Sequence, residues 1–477
     1  MAHAFRSLAL APLMLAFVAA PALAQPARPA APTKPIEIPP PPTVNDPMLA
    51  PVPPANRSVA SWEQALQFLR ARSTDLRIAY EEVRRAEAQS RTALAATLPS
   101  ITATGVATHQ FITNETVQIV GVSGTSPIYR PISTPVQNYA TANTVAVQPL
   151  LALEAWHAIG TAHAGEDASR LSLEDVKRTL ALNIANAIVG VVTAERIAEL
   201  NRVGFRSALE RLELALRKKA LGASTGLDVV RAQQDVESAR SSLVTGDESL
   251  RQARETLGLA LGSADPWGVP PDINLNGVEA SARATCAGAA TLEERADIAA
   301  ARGTTEIARR NVDDARLRFS PTVDLVSNFG MIGSSGDPSA TYASSRHEAW
   351  TIGGVLTVPF YDGGARYGFV RENRALEDEA MQRLEAARRA ASVEVTQARR
   401  AVLVAEQNRV VAERSRDLAR ETERLSRIAF QAGSGTSLDL IESGRRLREA
   451  EIQLALQEFG LVRARIAALL SLSRCRW

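Results

Sequence analysis

The chain has 477 residues, 45% of them hydrophobic and 22% charged, with a formal net charge of +2. That length allows two or three ordinary domains or one elongated one, and the near-neutral balance without a long basic run argues against a nucleic-acid partner. Aromatic residues make up only 5% while alanine is abundant, which suits long helices packed closely side by side better than a bulky core.

Residues 1–24 read as a secretory signal peptide. Arg6 supplies the positive end, Leu8 to Ala20 the apolar stretch, and Ala22-Leu23-Ala24 the small-residue cleavage site before Gln25. The stretch is short for a spanning helix and Pro12 interrupts it, which favours cleavage over a retained anchor. No cysteine follows that site to carry a lipid. Residues 25–57 are a proline-rich tether, with Pro39 to Pro42 consecutive; proline fixes its own torsion and donates no backbone hydrogen bond, so an extended segment is expected. Beyond residue 24 there is no run of about 18 apolar residues, so a membrane crossing would need strands closed into a barrel.

The remainder reads as two related halves, 58–262 and 291–472, with a connection at 263–290 and a tail at 473–477. A glycine turn recurs 211 residues apart, Gly222-Ala-Ser-Thr225-Gly-Leu227-Asp228 and Gly433-Ser-Gly-Thr436-Ser-Leu438-Asp439. A proline before a strand recurs as Pro99 and Pro321, and one after a strand as Pro149 and Pro359. Three landmarks in one order indicate duplication.

Each half alternates in the same way. Trp62, Leu66, Leu69, Leu76, Tyr80 and Val83 predict a helix over 58–97, stopped by Pro99. Strands follow at 100–112 and 139–148, joined by a long loop. In the second half Val323, Leu325 and Phe329 share a face opposite Thr322, Asp324 and Asn328. Trp350, Ile352, Leu356 and Val358 likewise oppose Thr351, Gly353 and Thr357. An apolar face backed by a polar or small one suits a barrel wall with lipid outside and water inside, and equally any half-buried sheet. Helical patterning then runs from about 151 to 221 and from about 365 to 432, or ~105 Å each at 1.5 Å per residue. Ala391, Ala398, Ala405, Ala412 and Ala419 form a heptad seam for close helix approach. Helices at 58–97 and 226–262, and at 291–319 and 436–472, can stack end to end to match each long rod.

On Leu98-Pro99-Ser-Ile101, Val145-Ala-Val-Gln-Pro149-Leu, Val358-Pro359-Phe360-Tyr-Asp-Gly-Gly364 and the two Gly-x-x-Thr-x-Leu-Asp turns, the chain resembles the outer membrane efflux proteins, the TolC-like channels. The resemblance covers about residues 58–472. It implies a mainly α fold with a small β part: long antiparallel helical hairpins forming a trimeric α-barrel tunnel in the periplasm, capped by a shared transmembrane β-barrel with four strands per chain. The implied role is the passive exit duct of a tripartite efflux or type I secretion system. Its partners would be a periplasmic adaptor (membrane fusion) protein, an inner-membrane transporter and outer-membrane lipid.

The turns Gly222, Ala223, Ser224, Thr225 and Gly433, Ser434, Gly435, Thr436 would face the adaptor. Physically, glycine permits the reversal and Thr225 and Thr436 can cap the ascending helices. The resemblance points Asp439 and Glu442 into the tunnel as a gate ring of about six carboxylates that attracts cations, by the like-charge logic of a shared axis; the alternative is that they only favour the start of their helix. Asp228, the matching residue of the first repeat, would brace the neighbouring hairpin. Where some members close the tip with a tyrosine and an arginine, this chain has Phe430 and Gly435, so closure must rest on other contacts or be looser. Cys286 and Cys475, the only two cysteines, fall where the family places its equatorial belt, and export leads to an oxidising compartment; a disulfide and a pair of buried thiols both fit.

Two rival classes are weaker. Gly222-Ala-Ser224-Thr-Gly226 matches a nucleophile-elbow pattern, but a charged helix rather than a strand leads in, and no histidine lies nearby. His157 and His163, six apart, project from different sides of a helix, so neither catalytic residues, nor a metal, nor a cofactor are expected. A periplasmic coiled-coil scaffold would share the rods but would not need four strands with Trp350 on an apolar face.

Overall fold

The computed structural model describes residues 42–477 apart from 110, 113–114, 134–137, 272, 274, 336–345 and 476. The signal peptide and the first part of the tether lie outside the described residues. A short strand β1 (Arg57–Ser58) leads into helices α1 (Trp62–Arg72) and α2 (Thr74–Ala95). The helix expected at 58–97 is therefore two. Ser73 is extended, with ψ 122°, and its hydroxyl accepts the Leu76 amide at 3.2 Å, so one residue ends α1 and caps α2.

Strands β2 (Ser100–His109), β3 (Glu115–Ser123), β4 (Ser126–Ser133) and β5 (Asn138–Leu151) follow. The region read as a long loop thus contains a ribbon, β3 paired antiparallel with β4 around Gly124 at φ 65°. Then come α3 (Leu153–Ala220), α4 (Gly226–Ala260), β6 (Trp267–Gly268), α5 (Leu275–Thr285), β7 (Cys286–Gly288) and α6 (Ala296–Leu317). The second half ends with β8 (Thr322–Ser335), β9 (Arg346–Thr357), α7 (Ala365–Gln431), α8 (Ser437–Leu470) and β10 (Ser473–Cys475). With 68 and 67 residues, α3 and α7 are rods of roughly 100 Å.

The two halves meet in one antiparallel sheet of order β2-β5-β8-β9. Its register places Phe329 opposite Trp350 and Val323 opposite Leu356, so the apolar faces of β8 and β9 coincide. Ile101 and Ala146, themselves a pair, continue that face, because Ala146 opposes Ser327 of the same face. Trp350, Leu356 and Ile101 remain 70%, 65% and 72% exposed.

The core lies at the other end of α2, where α3 is the hub. Ile184, Ile188, Val189 and Val191 of α3 are fully buried among Trp62, Leu69, Leu257, Trp267, Ile466 and Leu470. This stretch also makes α3 the one helix among the described residues apolar enough to cross a membrane by length and composition, and half of it is buried inside the protein. Its apolarity serves packing on several sides at once. Two glycines allow the close approach here: a Cβ on Gly258 would lie 2.0 Å from the Asp265 carbonyl oxygen, and Gly262, at φ 75°, leaves only 2.7 Å to that of Arg72.

The last part of the tether is docked rather than free. Leu49 packs on the Phe205, Val236 and Leu243 cluster, the Arg254 guanidinium donates to the Pro53 carbonyl at 2.7 Å, and β1 pairs in parallel with β6. A proline-rich segment keeps its carbonyl acceptors while lacking amide donors, and an arginine on α4 uses that asymmetry.

Candidate functional site: the paired hairpin tips

The α3–α4 and α7–α8 hairpins end in two turns built alike. After α3, Gly222 takes φ 72° and the Ala223 amide returns to the Lys218 carbonyl at 2.8 Å. After α7, Gly433 takes φ 81° and the Ser434 amide returns to the Ala429 carbonyl at 3.0 Å. Both conformations need the left-handed region that glycine enters without a steric cost. Gly435 is needed for another reason: a Cβ there would lie 2.9 Å from the Phe430 amide nitrogen.

Each ascending helix opens with a capping box. The Thr225 hydroxyl accepts the Asp228 amide at 3.3 Å while the Asp228 carboxylate accepts the Thr225 amide at 2.9 Å. Thr436 and Asp439 repeat this at 3.1 and 3.4 Å. The gate candidate Asp439 is thus engaged with its own helix start. The Thr436 hydroxyl adds a bond to it at 2.7 Å.

Asp228 does more than its counterpart. One carboxylate oxygen collects the Thr225 groups and the Ser224 hydroxyl at 3.0 Å, and the other accepts from the hydroxyl of Ser437, the first residue of α8. The carboxylate therefore ties the first tip to the second. Led by the Ser437 bond, these donors hold its pKa well below the usual carboxylate range.

A second tie lies beside it. The Lys218 ammonium donates to the Phe430 carbonyl at 2.8 Å and stands 3.6 Å from the centroid of the same residue's ring. Burial lowers its pKa.

Glu442, one turn past the second tip, lies between two arginines of its own helix. Arg445 donates to both its oxygens at 3.0 and 2.9 Å, and Arg446 at 2.8 Å. The Arg445 and then the Arg446 bonds bring its pKa down to about 2. Within one chain Asp228 reaches the opposite hairpin, whereas Asp439 and Glu442 bond only to their own. The Glu442-Ser-Gly-Arg445-Arg446 spacing was readable as helical ion pairs at three and four residues. Lys218 with Phe430 and Asp228 with Ser437 are more than 200 residues apart and carry no local signal.

The elbow-like Ser224 stands between two helices and donates to Asp228, with no histidine among its bonds. His157 bonds Asp314 on α6 at 2.6 Å and His163 bonds Ser90 on α2 at 3.2 Å, so the two imidazoles serve different helix contacts. Among the described residues no three His, Cys, Asp or Glu side chains form a metal-holding group. Within the main core cluster, Cys286 on β7 faces Cys475 on β10 in antiparallel register, and their sulfurs are bonded with Cα atoms 4.0 Å apart.

The chain is similar to several known proteins. The fusaric acid resistance protein FusA of Burkholderia cepacia is 27% identical over 211 residues, which is 43% of this chain and 38% of that protein, so the match spans little more than a third of FusA. The toluene efflux pump outer membrane protein TtgC of Pseudomonas putida is 22% identical over 82% of this chain and 78% of its own length. The crystal structure of the outer membrane protein VceC from Vibrio cholerae superposes with a TM-score of 0.69 at 18% identity, covering 87% of this chain and 96% of VceC. The family model for outer membrane efflux proteins matches residues 65–263 and 289–472. A channel family with this fold has its place in the bacterial outer membrane, its helical part in the periplasm. Two matched segments with a shared sheet at one end and paired tips at the other leave one conclusion: the chain belongs to the outer membrane efflux protein family.

Proposed function

We propose that three copies of this chain form a passive exit duct of a tripartite efflux or type I secretion system. The observation that carries this is the four-stranded sheet, which leaves β2 and β9 as edges and its apolar face uncovered. Open edges cannot sit in lipid, and three chains would supply roughly a dozen strands, within the range of outer-membrane barrels. A second surface supports the reading. Val404, Val411, Leu418 and Leu425 recur every seven residues along α7 and are all exposed, an unpartnered stripe fit for a neighbouring copy's helix. The turns at 222–225 and 433–436 would meet a periplasmic adaptor, with an inner-membrane transporter beyond it.

In this duct Glu442 would supply the gate ring with its charge balanced by Arg445 and Arg446, Asp439 would shape the helix start beneath it, and Asp228 would brace the two hairpins. Light scattering of the detergent-extracted protein should report a trimer, and planar bilayers should show discrete conductance. A stable monomer in detergent would overturn the proposal.

A further inference from the structure

The helices of the two hairpins stand side by side in the order α4-α3-α8-α7, since α3 packs against α4 and α8, and α8 against α7. The outer faces of α4 and α7 therefore end the wall on either side, as β2 and β9 end the sheet. The Lys218–Phe430 and Asp228–Ser437 bonds hold the two tips at one height, so α4 climbs from the level to which α7 descends. Arg211 of α3, lying across Gly444 of α8, repeats that level roughly two turns higher.

Each outer helix carries an exposed heptad stripe on the side turned from its own chain. On α4 it runs through Leu227, Val230, Val244, Glu248 and Glu255, and on α7 through Arg400, Val411, Arg414, Leu425 and Ile428. Val230 and Leu425 both lie within two turns of their tips, and Leu227 falls level with Ile428 just below them. From there the stripes match as antiparallel partners. Fourteen residues further from the tip Val244 comes level with Val411, and eleven beyond that Glu255 comes level with Arg400. Among the described residues neither Arg400 nor Glu255 has an ion-pair partner, whereas Arg409, Arg424 and Arg427 of α7 pair with Glu413, Glu421 and Glu423.

We propose that α7 of one copy packs along α4 of the next in this register, with Val411 against Val244, Leu425 against Val230 and Arg400 paired to Glu255. The inference rests on the proposed trimer and names the surfaces and charges that close it. Between the apolar layers, Leu418 and Val404 meet the aliphatic stems of Glu237 and Arg251. The valines alone would tolerate a slip of one heptad, about 10 Å, but a closed threefold ring keeps every tip level and forbids it. Arg400 and Glu255 are each idle within their own chain, so their pairing selects a second copy of this chain over another helix of similar shape.

Disulfide cross-linking of the full-length protein tests the register. Val244→Cys with Val411→Cys should join copies into covalent multimers on oxidation, because the two positions lie on opposite sides of one chain. Val244→Cys with Val404→Cys, or with Leu418→Cys, stands a heptad off in either direction and should not link. The native cysteines are buried and bonded to each other, so they take no part. Links in a displaced pair, or in none of the three, overturn the register. Charge exchange gives a second readout. Arg400→Glu should speed dissociation of the detergent-extracted trimer roughly tenfold, Glu255→Arg should do the same, and the two together should restore the wild-type rate. A double variant as weak as either single one overturns the ion pair. Light scattering of the wild type separates the levels: a monomer overturns the duct, whereas a trimer that fails to link through positions 244 and 411 overturns only this packing.

Discussion

The Lys218 ammonium is bonded to Phe430 twice over, to its carbonyl at 2.8 Å and to its ring face at 3.6 Å, across two hairpins 212 residues apart. Phe430 occupies a position where the family resemblance suggested a tyrosine, and the missing hydroxyl is answered by a cation from the opposite helix. Lys218→Met should weaken the pairing of the tips by about 1–2 kcal/mol. Amide exchange at residues 428–437 would then run roughly tenfold faster. Phe430→Leu should give a similar change, and the double variant should add little to either. Full additivity would mean the two side chains act separately.

Asp228 gives the tips a dependence on pH. Its carboxylate is held in the ionised form, with a pKa below the ordinary value, by Ser437, Thr225 and Ser224. A depressed folded pKa adds stability that is complete above the unfolded value of about 3.9 and is lost as pH falls below it. Tip exchange should therefore be flat through neutral pH and quicken in acid. Asp228→Asn should be faster at neutral pH and lose the acid dependence.

Glu442 meets its counter-charges before any ion from solution does. Wild-type conductance should consequently show only weak block by a trivalent cation added on the periplasmic side. Arg445→Gln with Arg446→Gln should expose the carboxylates and strengthen the block, because the two guanidinium charges that balance Glu442 are gone. Adding Asp439→Asn and Glu442→Gln should abolish it. Block that ignores all four substitutions would remove these residues from the gate.

The Cys286–Cys475 bond joins two short strands across 189 residues. Cys286→Ser with Cys475→Ser should cost about 2–5 kcal/mol, as for native disulfides closing long loops. The unfolding temperature should drop accordingly, and reductant should lower that of the wild type but not of the variant. Denatured wild type should show no alkylatable thiol before reduction.

Much of this fold was legible because its signals are local. Gly222 with Thr225, and Gly433 with Thr436, announce a left-handed turn followed by a cap, and both are found. The alternation in β8 and β9 placed Phe329 and Trp350 on one face, as their pairing has it. Ser73 gives no sequence signal of a break because the heptad spacing of Leu69 and Leu76 continues across it; the hydroxyl bond to Leu76 reveals it. The β3–β4 ribbon was hidden by Pro127 and Pro131, which a two-stranded ribbon tolerates better than a central strand would. The docked tether has no periodicity, since its order comes from Arg254 and the α3–α4 surface. The ties between tips depend on residues from different halves of the chain, and only packing brings them together.

The bond between β7 and β10 has a consequence in time as well as in energy. Cys286 precedes the whole second half and Cys475 follows it, so the ring they close encloses α6, β8, β9, α7 and α8. A chain delivered across a membrane from its N-terminus would present the first thiol long before the second, and the first would have to wait unpaired. A copy cut short anywhere in that interval would keep a reactive sulfur, while a finished one would have none. The oxidised pair is thus a chemical receipt for complete delivery, readable by any thiol-seeking reagent without inspecting the fold.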